Sequence, residues 1–145
     1  MTRSTVTSKD YALLILRLMT VFVFLPHGFG KALDWGMATN MFSAMGFPGF
    51  FGPIIGIVEV VASIGLLLGV FTRWTSLAFL AIMAAAITGV HLPASIAGGS
   101  ATPGLERDVM LLAGALVLMA FGPGAIALGQ ANPAAIGNSA SESMQ

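Results

Sequence analysis

Four apolar runs dominate the chain, at about residues 11–31, 53–71, 74–91 and 108–128. Each approaches the roughly 20 residues that a helix needs to cross the hydrocarbon core of a bilayer. In that solvent every backbone amide and carbonyl must be satisfied within the spanning structure, which leaves helices or closed barrels, and apolar runs of this length suit helices. The expected fold class is all-α, a four-helix transmembrane bundle. Composition agrees: 57% of residues are hydrophobic and 8% charged, against roughly a quarter charged in soluble domains. The net charge of zero gives no reason to expect nucleic acid as a partner. There is no cysteine, so thiol redox chemistry and thiolate metal ligation are excluded within the chain.

The breaks between runs carry turn chemistry. Gly52-Pro53 opens the second span, and Phe71-Thr-Arg-Trp74 connects it tightly to the third. A Gly/Ser/Ala-rich loop is expected from His91 to Gly104, and Gly122-Pro-Gly124 ends the fourth helix. Arg3 and Lys9 precede the first run as in a signal peptide. That run contains Arg17, however, and ends in Pro26-His-Gly-Phe-Gly-Lys31 without a cleavage site, so an uncleaved span is expected. Residues 1–10 then form a cytoplasmic N-terminus, 11–128 the membrane domain and 129–145 a disordered tail. Arg3, Lys9 and Arg73 on one side outnumber Lys31 and Arg107 on the other, which places both termini in the cytoplasm.

Residues 32–52 hold Met37, Met41 and Met45 at helical spacing among several aromatics, with Asp34 placed to cap a helix. This reads as a short amphipathic interfacial helix between spans one and two, first as a surface anchor and second as a lid.

Glu59 lies inside the second apolar run. A carboxylate at membrane depth costs roughly 2.5–3.5 kcal/mol on insertion scales, so it faces the protein interior, has a partner, and marks a candidate site. At about 1.5 Å rise per residue, His27 lies roughly 6 Å and Glu59 roughly 9 Å below the same boundary. Lys31, His91, Glu106 and Arg107 fall near that boundary as well. The grouping follows from topology and does not depend on orientation. His27 and Lys31 share a helix face at i, i+4, beside Pro26, which removes a backbone donor and is expected to kink the span. Glu59 is therefore expected to pair with Lys31 or His27. Arg17 lies about 15 Å along the helix from His27. It either snorkels to the near interface or reaches inward toward Glu59.

This cluster has two readings. One is a structural ion pair that fixes helix register. The other is a ligand or proton site built from Glu59, His27, Lys31, His91, Arg17, Glu106 and Arg107. The ligand favoured by this chemistry is a quinone or similar lipid-soluble molecule, its ring on aromatics, its carbonyl bonded by His27 or Lys31, and Glu59 handling protons. Haem between His27 and His91 lacks a matching second shell. No His-x-x-His or Glu-x-x-His spacing supports a metal. No inverted repeat supports a transporter.

The motifs together resemble the DoxX family of small bacterial membrane proteins, over about residues 11–128. Span one matches its Arg-Leu pair, apolar run and His-Gly-x-x-Lys at Arg17, His27, Gly28 and Lys31, with Ala32 before Leu33. Span two matches at Glu59, Gly69, Thr72 and Arg73, and span four at Glu106 and Gly122-Pro-Gly124. After that glycine the chain departs, with Ala-Ile-Ala-Leu-Gly-Gln in place of a charged ending. The resemblance implies a multi-pass inner-membrane protein associated with oxidoreductase systems. Family members accompany a thiosulfate:quinone oxidoreductase, or superoxide dismutase with a sulfurtransferase. Partners so implied are the bilayer, other oxidoreductase subunits or soluble redox enzymes, and the sequence leaves a homo-oligomer open. Many members have no assigned activity, so an oxidoreductase subunit and a non-enzymatic scaffold both remain as readings.

Overall fold

In a computed structural model, residues 6–129 are described. The expected disordered tail, apart from Gly129, lies outside them, as do residues 1–5 of the expected cytoplasmic N-terminus. Six α-helices and one π-helical turn follow in order: α1 Ser8–Leu33, α2 Trp35–Ala44, α3 Phe51–Leu68, α4 Thr72–Ala86, the π-turn Ile87–His91, α5 Leu92–Gly98 and α6 Pro103–Phe121. There is no strand among the described residues. α1, α3, α4 with its continuation, and α6 form a four-helix transmembrane bundle, and α2 is the short helix between the first two spans.

α1, α3 and the run Thr72–Gly98 are long and apolar enough to cross a membrane. α6 completes the bundle by packing on α4 and α1. Its charges, Glu106, Arg107 and Asp108, are confined to the start of the helix, and it is apolar from Val109 to Phe121. Outward faces carry exposed apolar side chains such as Phe22, Val61 and Met110, as lipid contact requires. The interior is centred on Phe24 and Phe79, whose rings stack with centroids 4.0 Å apart.

The third span differs from the sequence expectation. It does not end in a loop at His91 but continues as one helical run to Gly98. Pro93 supplies the reason for the irregularity within it. Proline has no amide hydrogen for the preceding turn and its ring crowds the carbonyl four residues back, so the helix widens locally. The Leu92 amide donates to the carbonyl of Ile87, five residues earlier. α1, by contrast, runs through Pro26 as a single helix. Asp34 caps α2 as expected, its Oδ1 accepting from the Met37 amide at 2.8 Å.

α1 and α3 make the most extensive contact in the bundle. Two glycines permit it. A Cβ on Gly28 would lie 2.8 Å from the Cβ of Glu59, and one on Gly56 would lie 2.6 Å from the Cβ of Lys31. At the far end of these helices the chain after α6 folds across the bundle. The Leu128 amide donates to Leu68 O at 3.0 Å, and the Ala125 amide donates to Asp10 Oδ1 at 2.7 Å.

Candidate functional site

The antiparallel contact of α1 with α3 sets Lys31 beside Glu59. Lys31 Nζ donates to Glu59 Oε1 at 2.6 Å and lies 2.6 Å from Oε2 as well. The hydrogen bond is directed at Oε1, and Oε2 is in ionic contact without a directed donor. Both side chains are withdrawn from the surface, at 13% and 3% exposure. Of the two partners expected for Glu59, Lys31 makes the contact. His27, one turn away, instead turns its Nδ1 to the carbonyl of Val23 at 2.8 Å. A carbonyl can only accept, so Nδ1 carries the proton in that bond, and in the neutral ring Nε2 is left as an acceptor.

A second charged group faces the first across the bundle. The π-turn ends at His91, and Ser95 Oγ donates to the His91 carbonyl at 2.7 Å. Ser95 Oγ also accepts from the Thr102 amide at 3.1 Å, drawing the start of α6 toward the turn. Thr102 Oγ1 then caps α6 by accepting from Leu105 N at 3.2 Å. This places Asp108, 1% exposed, between Arg107 and His91. Arg107 approaches its Oδ1 with Nε and with Nη2, each at 2.9 Å. His91 Nε2 lies 3.3 Å from Oδ2, without the geometry of a hydrogen bond.

Both groups open onto one cavity of about 430 Å³, inside the roughly 300–1,000 Å³ typical of small-molecule pockets. Its walls are mostly apolar. α2 and the connector after it contribute Met41, Met45, Phe42 and Phe47 to the lining. His27, Lys31, Glu59, His91 and Arg107 all line it, as does Asp108. The two carboxylates are matched by two permanent cations, Lys31 and Arg107. With neutral imidazoles the formal charges cancel. Among the described residues no group of three or more metal-binding side chains is close enough to hold an ion.

Two expected members are elsewhere. Glu106 is exposed on α6 and does not line the cavity. Arg17 is 2% exposed but lies at the far end of the bundle, where it neither snorkels nor reaches Glu59. Its Nε donates to Leu66 O at 2.8 Å and Nη2 to Leu67 O at 2.8 Å. Nη1 donates to Pro123 O at 3.1 Å and Ile126 O at 2.7 Å. The guanidinium thus caps the C-terminal carbonyls of α3, where positive charge is favoured by the helix dipole, and ties the post-α6 segment to them. Asp108 is the residue that sequence reasoning missed. Its signal is periodicity: Asp108, Ala115 and Leu118 form one buried face of α6.

The DoxX family model matches residues 12–92. The inner membrane protein YqjF of Escherichia coli (strain K12) is 28% identical over 83% of this chain and 91% of its own length. "Putative oxidoreductase CatD" of Bacillus subtilis (strain 168) is 27% identical over 83% of this chain and 87% of its own. The inner membrane protein YphA of Escherichia coli (strain K12) is 33% identical over 83% of this chain and 90% of its own. No solved structure matches.

Proposed function

We propose, from the premise that the chain belongs to the DoxX family of inner-membrane proteins, that it binds a lipid-soluble ring compound of the quinone class in the cavity beside Glu59. In this role it serves as a subunit of a membrane oxidoreductase system. The observation that carries the reading is a largely apolar cavity of about 430 Å³ with a buried Lys31–Glu59 pair in its wall. Such a cavity takes up a flat apolar ring, and the few polar groups fix its orientation. Lys31, held in place by Glu59, is the candidate donor to a ring carbonyl, whereas His27 offers Nε2 only as an acceptor to a ring hydroxyl. The family premise and the name of CatD support the oxidoreductase setting. Both termini are assigned to the cytoplasm on the lysine and arginine distribution.

The test is to purify the full chain in mild detergent and assay the extract for quinone by absorbance and mass spectrometry. The expected result is near-stoichiometric quinone in the wild type and its loss in a monodisperse Glu59→Gln protein. Absence of quinone from well-folded wild type overturns the reading.

A second reading rests on a separate observation. Glu59 and Lys31 sit at the tightest approach of α1 and α3, where Gly28 and Gly56 leave no room for a Cβ. A charge pair there fixes the register of two helices. On that reading the protein is a non-enzymatic scaffold, and Glu59→Gln fails by not accumulating.

A further inference from the structure

Among the described residues, five buried side-chain polar atoms have no hydrogen-bond partner. Two belong to residues that line the cavity, Glu59 Oε2 and Asp108 Oδ2. Both are carboxylate oxygens. Glu59 Oε2 is already in ionic contact with Lys31 Nζ at 2.6 Å, so Asp108 Oδ2 is the oxygen at the cavity that lacks a close charged donor. Lys31 bonds Glu59 Oε1 at 2.6 Å, and Arg107 bonds Asp108 Oδ1 at 2.9 Å. An ionised carboxylate can only accept, and a buried acceptor left without a donor is unfavourable. The cavity therefore has unmet demand for donors.

We propose that the site favours the reduced form of its ligand, an aromatic ring bearing phenolic hydroxyls, with one hydroxyl donating to Asp108 Oδ2. The proposal rests on the quinone-class reading above and deepens it. A quinone presents carbonyl oxygens, which only accept and leave Asp108 Oδ2 without a donor. A hydroquinone presents an O–H donor of the kind required, and hydrogen bonds to ionised acceptors are roughly twice as strong as neutral ones. Neutral ligand charge also fits, because Lys31 and Arg107 already balance the two carboxylates. His91 acts as a positioning residue. Its Nε2 lies 3.3 Å from Asp108 Oδ2 without a directed bond to that oxygen. No electron transfer is part of the proposal.

The experiment compares anaerobic binding of ubiquinol-1 and ubiquinone-1 to the purified full chain in detergent, by calorimetry. At least tenfold tighter binding of the quinol is expected in the wild type. In Asp108→Asn, which replaces a carboxylate oxygen by an amide, that preference falls severalfold while ubiquinone-1 affinity stays within about twofold. The wild-type ratio needs no variant to fold. Equal affinities, or a preference for the quinone, overturn the inference and leave the quinone-class site standing. Binding of neither compound overturns both. A preference that survives in a monodisperse Asp108→Asn protein overturns the role given to Asp108.

Discussion

Glu59 and Lys31 illustrate how a single residue can be costly in isolation and acceptable in company. Removing one partner of a buried ion pair leaves the other charge unpaired, which costs about 3–5 kcal/mol, whereas replacing both by apolar groups of similar volume is often neutral. Lys31→Met and Glu59→Leu are each expected to lower the thermal midpoint in detergent, and the double variant to recover most of the loss. If the double variant is as unstable as the sum of the singles, the pair is not coupled in the folded protein. The pairing was legible because depth arithmetic needs only the topology and the helical rise. Arg17 was not legible in the same way. Its partners are four backbone carbonyls, and a carbonyl carries no side-chain signature. Asp108 stood beside two other charges at a helix start, where sequence position suggests a rim. Only the rotation of α6, readable from Ala115 and Leu118 on the same face, shows that it points inward.

At the scale of elements, two glycines on α1 make a matched test. A Cβ on Gly28 meets Glu59 and the α3 backbone within 3.0 Å, whereas a Cβ on Gly30 meets nothing within 4 Å. Gly28→Ala is expected to force α1 and α3 apart at a cost of about 1–3 kcal/mol. Gly30→Ala is expected to be neutral, or stabilising by up to roughly 1 kcal/mol through helix propensity. Thermal unfolding of the two proteins side by side checks this, and equal midpoints would show that the helices do not close as tightly as the glycine contact requires. The sequence marks both positions alike, as glycines just after His27 in the first span. Which one faces α3 depends on packing. The π-turn was hidden for a related reason. Pro93 signals a break, and it read as the end of a helix. In an apolar setting a local widening keeps the backbone bonded and the helix continues, with His91 carried inside the run instead of into a loop.

For the whole molecule, the four apolar runs defined the bundle directly, since helices satisfy their own backbone in lipid and little else does. Orientation rests on few charges, and it is testable because the chain has no cysteine. A single cysteine introduced at Ser4 is expected to react with a membrane-impermeant maleimide only after cells are permeabilised, and one at Ala97, past the third span, in intact spheroplasts. The reverse pattern would invert the assignment and put the cavity end of the bundle on the cytoplasmic side.

The strap after α6 has a consequence for traffic through the bundle. Arg17, Asp10 and Leu68 fasten residues 123–128 across one end, while the cavity lies toward the other. The protein is thus a cup with a floor. The Phe24–Phe79 stack and the Arg17 strap stand between the cavity and the far end of the bundle.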